Sequence, residues 1–154
     1  MVPKLQEELR QTKPFASREE EVYLNIQHTA EALWWGVSET LKRAELTPTQ
    51  YNVLRILRGA GEAGASCGEI SERLVTKDSD ITRLLDRLER QGLVRRARDV
   101  ADRRVVLAYI EPAGERALAS VDAPLAAAHR QRFRPLGRAG TDALQESLEA
   151  LLGG

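Results

Sequence analysis

Apolar residues recur at helical spacing through most of the chain, and the longest such stretch runs from residue 17 to about residue 43. Ser17 and Glu20 form a capping-box signature at its start, and no proline interrupts it. Its apolar face consists of Val22, Ile26, Leu33, Val37 and Leu41. A helix of this length exceeds what a small domain core needs, so we expect it to pack against a second chain. Residues 1–16 are expected to form an arm or a short helix.

Three shorter helices are predicted in the next part of the chain. Thr47, Pro48 and Gln50 are a typical helix start, with a cap, a first-turn proline and a capping-box partner. The helix that follows is expected to end at the glycines Gly59, Gly61 and Gly64. Ser66 with Glu69 predicts a short third helix. Asp78 is expected to cap a fourth helix that runs to about residue 91.

After the fourth helix, the spacing of apolar residues changes from the helical period of 3.6 residues to the strand period of 2 residues. Residues 93–98 and 104–110 are predicted to form two strands, and the polar segment between them is short enough only for a hairpin. A long helix is predicted from Pro112 to about residue 133, with an adjustment at Pro124. Pro135 is expected to end it, and residues 141–152 to form the last helix. The sequence therefore predicts a mainly α fold with one small β-hairpin.

The composition is that of a globular protein, with 42% hydrophobic and 30% charged residues. No apolar run approaches the ~20 residues that a membrane helix needs, and no apolar block follows the charged N-terminus. The single cysteine, Cys67, excludes an internal disulfide and fits a reducing compartment. We therefore expect a cytoplasmic protein that does not enter a membrane.

The net charge is zero, but the positive charge is concentrated in one stretch. Residues 83–104 contain eight arginines and only four acidic residues. The basic members are Arg83, Arg87, Arg90, Arg95, Arg96, Arg98, Arg103 and Arg104. Such a cluster is either an electrostatic footprint for nucleic acid or an ordinary solvated surface.

Two short helices joined by a tight break and followed by a hairpin are the winged helix-turn-helix arrangement. The second helix of such a pair enters the major groove of DNA, and the hairpin, called the wing, lies beside it. The candidate contacts of the helix are Ser79, Thr82, Arg83 and Arg87, and those of the wing are Arg98, Arg103 and Arg104. Asp102 is interpreted as a brace that fixes the wing by pairing with Arg104 or with Arg83.

Three segments resemble the MarR family of transcription regulators. Residues 82–94 are similar to its recognition helix and first wing strand, residues 99–104 to its wing signature, and residues 46–51 to the start of its second helix. The likeness extends over roughly residues 20–150. Glu111 departs from the pattern, since the family usually has a threonine cap there. Asp80 also departs, because a carboxylate at that helix end would repel phosphate.

The resemblance implies a two-fold dimer that binds double-stranded DNA at a pseudo-palindromic operator. Residues 1–45 and 111–154 would form the helical dimerisation region, and residues 46–110 the DNA-binding domain. Family members are mostly repressors that a small lipophilic or phenolic ligand releases from DNA. His28, Trp34 and Trp35 are the candidate ligand-pocket residues, but core or dimer packing is the favoured role of the two tryptophans, and a partly exposed helix position that of His28.

The remaining chemistry-bearing residues have competing interpretations. Cys67 is either a small packing residue or a redox sensor, but the family's peroxide-sensing branch carries its cysteine elsewhere, near the start of the long first helix. His28 and His129 have no Cys or His at metal-ligand spacing, so no metal and no cofactor are predicted. No nucleophile–base pair or phosphate loop indicates an enzyme. The alternative function is a winged-helix module that binds proteins without binding DNA.

Overall fold

The computed structural model describes residues 4–77 and 80–153. These residues form seven α-helices and three β-strands, and their contacts divide them into two compact units, one ending at Val37 and one beginning at Ser38. The helices are α1 Lys4–Glu8, α2 Arg18–Leu41, α3 Pro48–Ala60, α4 Cys67–Arg73, α5 Ile81–Arg90, α6 Pro112–Phe133 and α7 Gly137–Leu152. The strands are β1 Ala65–Ser66, β2 Val94–Arg98 and β3 Val106–Ile110. The prediction of a mainly helical fold with a hairpin is confirmed.

The first unit contains α1 and the greater part of α2. The Ser17 hydroxyl accepts a hydrogen bond from the Glu20 backbone N–H at 3.1 Å, as the start signal predicted. The Glu20 carboxylate accepts from the Ala16 N–H at 2.6 Å rather than from Ser17, so the box closes one residue earlier than expected. Val22 and Ile26 are largely exposed on α2. Their apolar side chains are only partly covered within this unit.

Two complete capping boxes fix the starts of α3 and α4. Thr47 accepts from the Gln50 N–H at 3.2 Å while the Gln50 side chain accepts from the Thr47 N–H at 3.0 Å. Ser66 and Glu69 repeat this exchange at 3.2 and 2.7 Å. Both starts are confirmed. The helix α3 runs through Gly59 to Ala60, one residue beyond the first predicted stop.

The sheet has a third strand that the sequence analysis missed. The hairpin strands β2 and β3 pair antiparallel with Val94 opposite Ile110, and β1 pairs with β3 on its other side. A strand of two residues is too short to show alternation. Gly64 precedes it with φ +66°, and a Cβ there would lie 2.6 Å from Cε1 of Tyr109. Glycine is therefore required for the close approach of this segment to β3.

The core of the second unit lies where α3, α5 and α6 meet the sheet. Fully buried side chains come from each of these elements: Val53, Leu54, Leu57, Leu85, Leu88, Val94, Leu118 and Val121. Burial of each large apolar side chain contributes about 1.5–3 kcal/mol relative to exposure. This core fixes α5 and the hairpin in one rigid module. In the described part of the chain, no helix is both long and apolar enough to span a bilayer.

Two predicted helix starts are wrong. The helix α5 begins at Ile81 with Asp80 as its N-cap, two residues after the predicted cap at Asp78. Asp78 itself lies outside the described residues. The helix α7 begins at Gly137, four residues before the predicted start. Pro135 lies in a 3-10 turn, Arg134–Leu136, because its fixed φ suits the first turn of a helix.

Candidate nucleic-acid interface

The segment between α4 and α5 is held by side chains from α3 and from the segment itself. Asn52 on α3 accepts a hydrogen bond through Oδ1 from the Val75 N–H at 2.9 Å. The Lys77 ammonium donates to the carbonyls of Ser71 and Glu72 at 3.0 and 3.2 Å, which caps the end of α4. These contacts fix the turn of the helix-turn-helix on the side that precedes α5.

The helix α5 has one buried and one exposed face. Ile81, Leu84, Leu85 and Leu88 are buried, whereas Thr82, Arg83 and Arg87 are exposed. The predicted contact Ser79 lies outside the described residues. Asp80 accepts from the Arg83 N–H at 2.9 Å, and its other carboxylate oxygen lies 3.4 Å from Arg83 Nε. Arg83 thus forms an ion pair with Asp80. Arg87 forms no ion pair among the residues described.

The tip of the wing is organised by Asp102. Its carboxylate accepts from the Arg104 N–H at 3.0 Å and from Arg104 Nε and Nη2 at 3.1 Å each. The Val105 N–H donates to the Asp102 carbonyl at 2.9 Å and closes the turn. The Arg104 guanidinium holds the pKa of Asp102 below its ordinary value. Of the two partners left open by the sequence, the structure pairs Asp102 with Arg104.

The three wing arginines differ in their interaction partners. Arg98 Nη1 donates to the Arg103 carbonyl at 2.8 Å across the hairpin, and Arg104 is paired with Asp102. The exposed Arg103 side chain forms no ion pair in the part of the chain that the structure describes. Among the described residues, neither Arg98 nor Arg103 is paired with a carboxylate, but only the Arg103 guanidinium is also without a hydrogen bond inside the wing.

One residue that organises this surface was missed by the sequence analysis. Arg96 on β2 donates from Nη2 to Asp86 Oδ1 at 2.6 Å and to Glu89 Oε2 at 2.7 Å, and its backbone N–H donates to Glu89 Oε1 at 3.1 Å. The hydrogen bonds from Arg96 lower the pKa of Glu89, against the opposing effect of burial. The available signal was the Asp86–Glu89 spacing on one side of α5. These contacts join the wing to the helix beside it.

A second set of contacts, centred on Arg95, lies on the outward face of the sheet. The Arg95 guanidinium lies 4.2 Å from the centre of the Tyr109 ring, and its Nε lies 3.1 Å from Glu111 Oε1. Glu111 is the N-cap residue of α6 and forms no side-chain cap hydrogen bond, as its departure from the family pattern predicted. Its carboxylate pairs with β2 instead, so the base of the wing is tied to the start of α6.

The candidate ligand-pocket residues do not line the cavity found in the first unit. His28 Nε2 lies 3.0 Å from Glu8 Oε2, and the Trp34 and Trp35 rings stack edge-to-face with centroids 5.2 Å apart. The cavity measures about 580 Å³ and is lined by Gln6, Pro14, Phe15, Ser17, Arg18, Glu21, Val22 and Asn25. A ligand role for the histidine and the tryptophans stays a prediction.

Cys67 and the potential metal ligands of the described residues were the other candidates for a functional site. Cys67 is half-buried in the first turn of α4, and neither its packing role nor its sensing role is tested by this placement. Within the described residues, no group of three His, Cys, Asp or Glu side chains could hold a metal ion.

The part of the chain that contains α5 and the wing matches a known protein family. A family model described as the MarR family matches residues 46–106, which span α3 to the start of β3. A solved MarR transcription factor from Planctomyces limnophilus is 34% identical to this chain, with 92% of this chain and 100% of that chain covered and a TM-score of 0.65. The chain belongs to the MarR family. The curated relatives are named as transcription regulators and not as enzymes, which agrees with the prediction for this chain.

Two further relatives cover different shares of this MarR-family chain. The uncharacterized HTH-type transcriptional regulator YsmB of Bacillus subtilis (strain 168) is 34% identical over 97 residues, 63% of this chain and 65% of that protein. The chain spans about half to two thirds of the length of the curated relatives it matches. The S. aureus MepR–DNA complex contains a chain with a TM-score of 0.76 and 17% identity, covering 89% of this chain and 98% of that chain, which shows a shared fold.

Proposed function

We propose that this MarR-family chain is a sequence-specific DNA-binding transcription regulator that inserts α5 into the major groove and the wing into the adjacent minor groove. The observation that carries the proposal is that Arg87 on α5 and Arg103 on the wing are both exposed and form no ion pair among the described residues. The helix α5 packs against β2 of the wing, so the backbone positions that carry the two cations are fixed relative to each other. A duplex supplies phosphates and groove edges at fixed separation in the same way.

The charges around these two arginines support the proposal. A carboxylate near phosphate is repelled, and several acids lie in this stretch. Asp86 and Glu89 are paired with Arg96, and Asp102 with Arg104. Three of the four acids in residues 83–104 are thus paired, whereas Asp99 is not, and the eight arginines leave this stretch positive although the whole chain has zero net charge.

Each candidate residue has its own role in this proposal. Thr82 and Arg87 would contact base edges or phosphates, and Arg103 would enter the minor groove, where the potential is most negative over A·T-rich DNA. Arg104 and Arg98 mainly shape the wing, because both are hydrogen-bonded within it. Arg83 would have to exchange Asp80 for a phosphate. Ser79, which lies outside the described residues, is also proposed as a DNA contact.

The proposal includes a homodimer. Residues 1–45 and 111–154 would form its helical interface, and residues 46–110 the DNA-binding domain. Large apolar side chains are exposed in both flanking segments, among them Ile26, Trp35, Leu144 and Leu148. A two-fold dimer would place two α5 helices about one turn of DNA apart and read a pseudo-palindromic operator. The fold shared with MepR, which was solved bound to DNA, supports this arrangement.

We further propose that the regulator is a repressor, that it acts in the cytoplasm, and that a small lipophilic or phenolic ligand releases it from DNA. The lining of the cavity in the first unit includes the Phe15 ring, the Arg18 cation and the Glu21 carboxylate. Phe15 and Arg18 suit an aromatic anion, whereas Glu21 opposes it. His28, Trp34 and Trp35 are the other proposed ligand contacts.

A selection from random duplexes followed by a salt series tests the DNA proposal. Rounds of capture on the purified chain should enrich a pseudo-palindrome, and affinity for it should fall by about 10³-fold or more between 50 and 200 mM salt if six or more phosphates are contacted. No enrichment, together with capture of a protein partner by residues 46–110, would instead establish the interaction-module function.

A further inference from the structure

Arg83 differs from Arg87, the arginine one turn further along α5, in having a carboxylate beside it. Asp80, the N-cap residue of α5, accepts a hydrogen bond through Oδ1 from the Arg83 backbone N–H at 2.9 Å. Its second oxygen, Oδ2, lies 3.4 Å from Nε of the Arg83 side chain. Arg87 forms no ion pair among the residues described. One carboxylate thus contacts both the backbone and the side chain of Arg83.

The contact with Asp80 leaves the outer edge of the Arg83 guanidinium open. A guanidinium donates hydrogen bonds from Nε and from its two Nη atoms, in a fixed fork. Oδ2 of Asp80 faces Nε, whereas Nη1 and Nη2 form no hydrogen bond in the part of the chain that the structure describes. The Arg83 side chain is 71% exposed. Arg83 therefore presents two donors to solvent while its third donor group faces a carboxylate.

The charge of Asp80 makes a phosphate an unfavourable partner for this arginine. Asp80 and Arg83 together carry no net charge, and the carboxylate would lie close to any phosphate that the same guanidinium bound. The edge of a guanine is uncharged and offers two acceptors, O6 and N7, which one arginine can bind together in the major groove. The charges and donors of this pair therefore match a guanine edge better than the DNA backbone.

We infer that Asp80 is a positioning residue for base readout, which holds the Arg83 guanidinium so that Nη1 and Nη2 donate to O6 and N7 of one guanine in each half of the operator. This inference rests on the proposed function, since it requires α5 in the major groove. Residues at the start of a recognition helix are those that reach base edges. Asp80, whose charge departs from the family pattern, thus narrows the base preference of this chain rather than adding affinity.

The variant Asp80→Asn separates this role from helix capping alone. Asparagine caps helices about as well as aspartate, so the start of α5 should persist. The amide has a single oxygen, however, and when that oxygen accepts the Arg83 N–H, its NH2 group faces Nε. Two donors then oppose each other, and the Arg83 side chain loses its support. Asp80→Ser also keeps a cap and lacks a second oxygen, so it is a second variant for the same test.

The experiment measures base preference on the duplex that selection with the wild type enriches. A second selection with Arg83→Ala identifies the guanine, since the preference at that position should disappear. Replacement of this G·C pair by A·T should weaken wild-type binding about tenfold or more, and 7-deazaguanine, which lacks only N7, should reproduce part of the loss. In Asp80→Asn and Asp80→Ser, the A·T replacement should weaken binding by less than about threefold.

Glu72→Gln is the matched control for the change in charge. It removes one negative charge from α4, in the same module, and Glu72 forms no ion pair with Arg83 among the described residues. Both Glu72→Gln and Asp80→Asn should strengthen binding to unrelated DNA slightly, because each removes a charge that repels phosphate. Only Asp80→Asn should also reduce the preference for guanine. Circular dichroism melting curves verify that each variant is folded.

The outcomes separate this inference from the proposed function. If selection with the wild type enriches no duplex, both are wrong. If an operator is found and the two Asp80 variants keep the full preference for guanine, the DNA-binding function stands and the role of Asp80 is wrong. An operator without a guanine whose preference depends on Arg83 likewise overturns the inference alone.

Discussion

Arg96 on β2 and Asp86 on α5 are joined by a 2.6 Å contact between Nη2 and Oδ1, which links the wing to the helix beside it. The same guanidinium bonds Glu89, and the Arg96 side chain is only 24% exposed. One side chain therefore orients a helix and a strand that the proposed function uses together. Arg96 offsets the negative charges of Asp86 and Glu89. Without Arg96, both carboxylates would repel DNA more strongly.

Replacement of Arg96 by alanine should weaken both folding and DNA binding. Two partly covered carboxylates would lose their donor, so the free energy of unfolding should fall by about 1–3 kcal/mol in urea titrations. DNA affinity should fall further at temperatures where the variant is still folded, because the wing loses its orientation and two acids become unpaired. Arg116→Ala, an exposed arginine of α6, is the control. Unchanged DNA affinity in the folded variant would contradict the positioning role.

The contribution of Arg96 to stability should depend on pH. Its hydrogen bonds lower the pKa of Glu89 in the folded state from the ordinary 4.5. A depressed carboxyl pKa stabilises the fold above the unfolded-state value and loses that effect as pH falls through the folded-state value. The difference in unfolding free energy between wild type and Arg96→Ala should thus be constant from pH 6 to 7 and shrink below about pH 4.5. A difference that grows on acidification would contradict this pairing.

Arg103 is expected to contribute to DNA binding without contributing to the fold. Arg103→Ala should weaken binding to the selected duplex by about 1–3 kcal/mol and leave the dimer intact. Arg104→Ala should act less directly, through the wing turn that Asp102 holds. Gel-shift titrations with the Arg116→Ala control measure both. Equal affinity of Arg103→Ala and wild type would exclude the wing contact.

Leu57 is expected to be essential to the module that carries α5. It is fully buried, so Leu57→Ala should lower the free energy of unfolding by about 2–5 kcal/mol. Val100 at the wing tip is 95% exposed, and Val100→Ala should change stability by less than about 0.5 kcal/mol. Thermal unfolding of the two variants compares them. Similar stabilities would contradict the core assignment.

Gly64 tests the third strand, which the sequence pattern did not reveal. Both Gly64 and Gly61 have positive φ, so alanine at either position costs about 1–3 kcal/mol of backbone strain. Only at Gly64 would the new Cβ also clash, 2.6 Å from the Tyr109 ring and 2.8 Å from the Ala108 carbonyl. Gly64→Ala should therefore be the more destabilising in urea titrations. Equal effects would indicate that β1 does not pack against β3 as described.

The sequence by itself determined the order of the main helices, the capping boxes of α3 and α4, and the hairpin, whereas the starts of α5 and α7 were misplaced. Thr47 with Gln50 and Ser66 with Glu69 are signals in which a side chain satisfies backbone groups three residues away. Such local hydrogen bonds need no tertiary partner, and they were placed correctly. The apolar stripe of α5 was also predicted, because burial follows the helical period.

Only the tertiary structure decided which charged groups meet. Arg96 was one basic residue among eight until the fold placed it against Asp86 and Glu89, and Asp102 had two possible partners until the turn brought Arg104 to it. The strand β1 likewise exists only through its pairing with β3. Contacts between distant residues depend on how elements pack, and ion pairs have no sequence period. The residues available for a site can thus be predicted locally, whereas their partners follow from the fold.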